Sequence, residues 1–155
     1  MNNFLMSMRF NKQKPEDFGL IYEDGIFTRM SDKTEWMPCE LYDFGWGNEN
    51  GFYKIPLGSF DELIEMVLSN IDEEDSYGAA SIILSQYPNQ LKAYLLNITT
   101  SPVCHKNKRS LRRINDILKL QQSINLTLNP NMTIQQIEKE YQDWCKIALF
   151  FKQLS

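Results

Sequence analysis

Histidine and cysteine are scarce in this chain: 155 residues hold one His and three Cys. Any imidazole chemistry would have to use His105. Cys39, Cys104 and Cys145 form an odd, widely spaced set with no C-x-x-C pair, which argues against a zinc site and fits reduced thiols in a reducing compartment. A catalytic thiol paired with His105 would have to be assembled from distant segments, because the adjacent Cys104 points its side chain elsewhere. Long apolar runs are also missing. No stretch approaches the ~20 apolar residues of a membrane span, and residues 1–10 lack the basic start and apolar run that export requires. The expectation is a soluble, cytoplasmic protein that makes no membrane contact.

Cofactor signatures are absent in the same way. Gly45-x-Gly47-x-x-x-Gly51 is followed by no Lys-Ser/Thr pair and has no strand-to-helix context, so it is neither a P-loop nor a dinucleotide fingerprint. The acidic run Asp72-Glu73-Glu74-Asp75 has neither the spacing nor the glycine of a calcium loop and reads as helix capping. No cofactor and no metal are expected.

What the chain does have is apolar content and patterned charge. Hydrophobic residues at 43% and aromatics at 12% are enough to bury a core without disulfides or metal, and the length fits a single domain over 1–155. Residues 1–58 read as mainly β. Leu20-Ile21-Tyr22 and Ile26-Phe27-Thr28 flank Glu23-Asp24-Gly25, a turn with a glycine available for positive φ. Phe4 to Phe10 alternates as a strand, and Asn50-Gly51 offers turn chemistry for a second hairpin around residues 46–52.

From residue 59 the period becomes helical. Ser59-x-x-Glu62 and Thr133-x-x-Gln136 have capping-box form, and Pro88 suits a first helical position. Apolar stripes follow on successive helices: Phe60, Leu63, Ile64, Val67, Leu68 and Ile71; Leu91, Tyr94, Leu95 and Ile98; Leu111, Ile114, Ile117 and Leu118. The last helix is expected to bury Ile134, Ile137, Tyr141, Trp144, Ala148 and Phe151. The result is an α+β fold, a small N-terminal antiparallel sheet followed by a cluster of about five helices.

Charge divides the chain. Residues 1–80 carry 16 Asp/Glu against 6 Lys/Arg, and residues 81–155 carry 4 against 10, so −10 and +6 make up the net −4. Asymmetry of this kind points to an electrostatic partner, unless the two halves neutralise each other. The foremost expectation is a protein-binding protein of the inhibitor, adaptor or toxin-neutralising immunity type, using Asp24, Glu35, Trp36, Glu40, Tyr42, Asp43 and Trp46 against a basic target. The aromatics of residues 36–53 fit a recognition surface or a sheet core equally by type.

Two alternatives stand beside it. Lys106, Lys108, Arg109, Arg112 and Arg113 open an amphipathic helix whose cations could grip the phosphates of a nucleic acid, although a pI near 5.0 counts against a dedicated nucleic-acid binder. A small enzyme would need acids or Cys/His gathered by the fold, and no spacing singles them out. The end of the last helix, residues 147–154, is apolar on most of its circumference, so a second copy of the chain is a further possible partner.

Overall fold

The computed structural model describes residues 3–7, 14–43, 48–69, 72–101, 108–120 and 126–154. They form an antiparallel sheet of five strands followed by five α-helices. The strands are β1 (Phe4–Ser7), β2 (Leu20–Glu23), β3 (Ile26–Arg29), β4 (Glu35–Asp43) and β5 (Asn48–Ile55), in the order β1-β5-β4-β3-β2. The helices are α1 (Phe60–Leu68), α2 (Glu73–Gln86), α3 (Pro88–Thr100), α4 (Lys108–Leu118) and α5 (Ile134–Lys152), and a 3-10 turn, Pro15–Phe18, precedes β2. The chain divides into two compact units, Met1–Ile82 and Ile83–Ser155. Strand gives way to helix between residues 55 and 60, as the change of period predicts, but the division into units falls later, inside α2.

In the first unit the β2–β3 hairpin forms where its turn chemistry places it. Asp24 and Gly25 both have positive φ, 52° and 84°, the backbone of a two-residue turn whose twist matches the strands. The Asn50-Gly51 turn is not observed. Both residues lie inside β5, where Gly51 pairs with Met6 on one side and Cys39 on the other, and the β4–β5 connection covers residues 44–47, outside the described residues. β4 itself carries Pro38, which lacks the N–H a central strand needs. The β3–β4 ladder consists of Phe27↔Trp36 and Thr28↔Glu35, so Pro38 lies beyond its end and removes nothing from it.

Directly opposed residues share a face, so the register sorts the sheet. One face holds Leu5, Phe52, Trp36, Phe27 and Leu20, joined by Phe18 of the 3-10 turn into an aromatic cluster. Phe27 stacks edge-on against Phe52 at 5.0 Å between centroids, and Phe18 does the same at 6.1 Å. The opposite face presents Phe4, whose ring packs on Gly78 of α2. Asp75, also on α2, is 7% exposed and accepts from the backbone N–H groups of Asn3 (2.7 Å) and Phe4 (3.0 Å). The acidic run thus splits its work. Asp72 Oδ1 caps α2 by accepting from Glu74 N at 3.1 Å, while Asp75 pins β1. The buried Ser76 hydroxyl, with one proton to give, lies 2.8 Å from the Met66 carbonyl and 2.9 Å from that of Ser69, at the C-terminal end of α1.

In the second unit, α3 buries Leu91, Leu95 and Ile98 of its predicted stripe and leaves Tyr94 half-buried, and α4 buries Leu111, Ile114, Ile117 and Leu118 as predicted. Both helices pack on α5. The Thr133 capping box closes on both sides: Gln136 N donates to Thr133 Oγ1 (3.2 Å), and Thr133 N donates to Gln136 Oε1 (2.8 Å). The expected stripe of α5 needs correction. Trp144, Ile147 and Phe151 are buried, but Ile134 is 77% exposed, Ile137 41% and Tyr141 56%. The buried face of α5 turns instead through Glu140 and Asp143, whose charges find partners inside the unit.

Candidate functional site

The division into units coincides with the division of charge. Residues 81 and 82 are Ser and Ile, so the −10 belongs to the first unit and the +6 to the second.

Of the residues predicted to meet a protein partner, Asp24 is exposed at the hairpin turn, Glu35 is exposed at the first position of β4, and Glu40 is exposed further along it. Asp24 and Glu35 lie at opposite ends of the β3–β4 ladder. Trp36 is a correction: it is 0% exposed, at the centre of the aromatic cluster, where its large ring contributes more by burial than by display. Its Nε1–H donates to Thr34 Oγ1 (2.7 Å), and the Arg29 guanidinium lies 4.9 Å over its ring. Tyr42 and Asp43 belong to β4, but their side chains, like all of Trp46, lie outside the described residues.

A different cluster takes shape around β2. The 3-10 turn packs on this outermost strand and carries Glu16 and Asp17 into its Leu20 end, while Glu23 and Asp24 close its other end at the hairpin turn. All four carboxylates are exposed, with Ile21 (45% exposed) and Tyr22 (63%) between them. Residues 15–28 contain no Lys or Arg, and among the described residues none of Glu16, Glu23 and Asp24 has an ion-pair partner. Asp32 behaves differently. It takes two hydrogen bonds from Arg29 and two from Thr34, and the Arg29 bonds chiefly hold its carboxyl well below the usual carboxylate range.

In the second unit Lys108, Arg109 and Arg112 are exposed on α4 and Arg113 is half-buried, while Lys106 lies outside the described residues. Arg112 Nε donates to the Leu154 carbonyl at 3.0 Å. These cations stand opposite the buried leucine and isoleucine stripe, as the amphipathic spacing predicts.

The buried chemistry of this unit was not foreseen from the sequence. Lys92 of α3 reaches two carboxylates of α5, Glu140 Oε1 at 2.6 Å and Asp143 Oδ2 at 2.9 Å, with its side chain only 13% exposed. Lys139 Nζ meets the other oxygen of Asp143 at 2.8 Å. Thr127 donates to Glu140 and accepts from Trp144 Nε1 at 2.9 Å. Burial alone would pull the Lys92 ammonium down and push the Asp143 carboxyl up; the reciprocal hydrogen bonds and charges outweigh it, so Lys92 sits above its ordinary value and Asp143 below. The one signal available in the sequence was Lys92 itself, the sole charged residue of α3, next to the buried Leu91.

An open cleft of about 640 Å³ adjoins this network, lined by Asn129, Asn131, Met132, Thr133, Gln135, Gln136, Lys139 and Glu140. General acid–base catalysis needs groups poised near neutral pH. Here the shifts of Asp143 and Lys92 run away from neutrality, which is the behaviour of a structural ion pair. Burial likewise pushes the Cys39 thiol up to about 12, far from a reactive thiolate. Among the described residues no group of three or more His, Cys, Asp or Glu is placed to hold a metal ion, and no helix is long and apolar enough to cross a membrane. His105 and Cys104 lie outside the described residues. Comparison with known proteins finds no matching family model, no matching curated sequence and no matching solved structure.

Proposed function

We propose that the chain is a protein-binding protein, of the inhibitor, adaptor or toxin-neutralising immunity kind, whose acidic unit covers a basic surface on its target. The observation that carries this reading is the outermost strand β2 with the turns at its two ends, where four carboxylates are exposed together with Ile21 and Tyr22 and residues 15–28 hold no cation. Unneutralised charge of one sign beside exposed apolar side chains suits such a contact: the charges steer encounter, and Tyr22 on one face of the strand or Ile21 on the other supplies desolvated contact. Glu35 and Glu40 add exposed carboxylates on β4, one on each face of the sheet.

A second reading, nucleic-acid binding through Lys106, Lys108, Arg109, Arg112 and Arg113, draws support from the exposure of Lys108, Arg109 and Arg112 on a unit of charge +6. One experiment weighs the two. Native mass spectrometry of the chain drawn gently from its own cells is expected to show a stoichiometric protein companion. Reversing charge at Asp24, Glu35 and Glu40 together is expected to weaken that companion's binding about tenfold or more, mainly by slowing association. A chain that emerges alone, or a companion indifferent to the reversals, overturns the proposal. Bound nucleic acid lost steeply on raising salt transfers it to α4.

A further inference from the structure

The first turns of α5 stand clear of the helical unit, because every residue from 134 to 139 is exposed. An amphipathic helix would place its apolar residues against the core there. Instead Ile134, Ile137 and Tyr141 face outward at 77%, 41% and 56% exposure, and Leu149, further along, is 58% exposed. Ile137, Tyr141, Cys145 and Leu149 are spaced at i, i+4, i+8 and i+12. They form one of the inclined ridges that a helix offers to another helix, spanning roughly 18 Å at 1.5 Å per residue. The ridge beside it is Ile134, Glu138, Gln142 and Lys146, all exposed. Between the two runs a groove.

We infer that this face is the contact between two copies of the chain, with α5 crossing α5 of the second copy about a two-fold axis that passes by Gln142. Identical i±4n ridges interlock in each other's grooves when helices cross at about −50°, the commonest mode of helix packing. The charges select the occupant and the direction. An axis at Gln142 reverses the second helix, so Glu138 of one copy comes beside Lys146 of the other, and the symmetry repeats the pair on the far side of the axis. A parallel arrangement would set Glu138 against Glu138 and Lys146 against Lys146. Neither residue has an ion-pair partner within the chain among the described residues. Tyr141, 56% exposed, falls near the axis and offers a rigid ring to its symmetry mate. This surface belongs to the basic unit and does not depend on the role proposed for the acidic one.

Sedimentation velocity across a wide concentration range tests the pairing. The wild-type chain is expected to dimerise. Glu138→Lys alone and Lys146→Glu alone each set like charges together twice and are expected to raise the dimer Kd about tenfold or more, and the doubly exchanged variant is expected to restore it. Tyr141→Asp is expected to abolish it. All three positions are exposed, and far-UV circular dichroism confirms that each variant keeps its helices. A wild-type chain that stays monomeric throughout overturns the inference. So does a dimer unaffected by these substitutions, or a double exchange that stays monomeric.

Discussion

Gly78 is small because Phe4 leaves it no choice. A Cβ at this position would sit 2.8 Å from the Phe4 Cβ and inside its ring. In an exposed helix, Gly→Ala stabilises by about 1 kcal/mol. Here overpacking at the base of a buried side chain outweighs that gain, since Phe4 is 1% exposed and cannot swing aside. Gly78→Ala is expected to destabilise the protein by about 2 kcal/mol in urea titration, and most of that cost should disappear in a Phe4→Ala background, where the obstacle is gone. Trp36 shows the same limit on what residue type reveals. A tryptophan next to an acid, Glu35, reads equally as display or as core; only the register Phe27↔Trp36, set by the Asp24-Gly25 turn and the β3–β4 ladder, puts it inside.

Elements bounded by local chemistry were legible in the sequence. The β2–β3 hairpin, the Ser59 and Thr133 caps, the Pro88 start and the stripe of α4 all follow from contacts within a few residues, and all are present. What failed was decided at a distance. Asn50-Gly51 has the right chemistry for a turn, but pairing with β1 and β4 on both sides draws it into β5. The outward face of α5 and the inward Glu140 and Asp143 depend on a lysine 48 residues away in α3, which periodicity cannot anticipate.

That ion-pair network makes a prediction that belongs to the helix pair. Lys92→Met leaves two carboxylates of α5 without their shared cation and is expected to cost about 3 kcal/mol at neutral pH. The pH dependence follows from the directions of the shifts. Asp143, held below the ordinary carboxylate value of about 3.9, contributes stability that is present above that value and lost as pH falls through its lowered pKa. Lys92, held above about 10.4, contributes stability that is present below that value and lost as pH rises through its raised pKa. Urea midpoints of wild type and variant should therefore differ most between roughly pH 4 and 10 and converge on acidification below that window. An unchanged gap at low pH would mean that packing, not charge, holds α3 to α5.

At the scale of the molecule, a net charge of −4 describes neither unit. Carboxylates of the first unit and Lys108, Arg109, Arg112, Lys139, Lys146 and Lys152 of the second are exposed together in the same chain. At low ionic strength and neutral pH the protein is expected to be retained by cation exchangers as well as anion exchangers, because a resin reads local charge within about a Debye length. Flow-through on the cation exchanger would show that the basic residues are screened. The α+β class and the order of sheet and helices follow from the change of hydrophobic period near residue 59. The placement of the unit boundary inside α2 does not, because no linker, proline or glycine run marks it.

The anchoring of β1 by Asp75 also bears on the order in which the chain can assemble. The ladder that β1 joins is completed only by β5, and its backbone is fastened by an acid 71 residues downstream of Phe4. During synthesis the hairpin of β2 and β3 has everything it needs as soon as it emerges, whereas β1, made before it, has to wait unpaired until β5 has been translated and unfastened until the start of α2 has followed. The earliest strand in the chain is thus the last to take its seat, and until it does β5 keeps an open flank to which any other extended segment can be added.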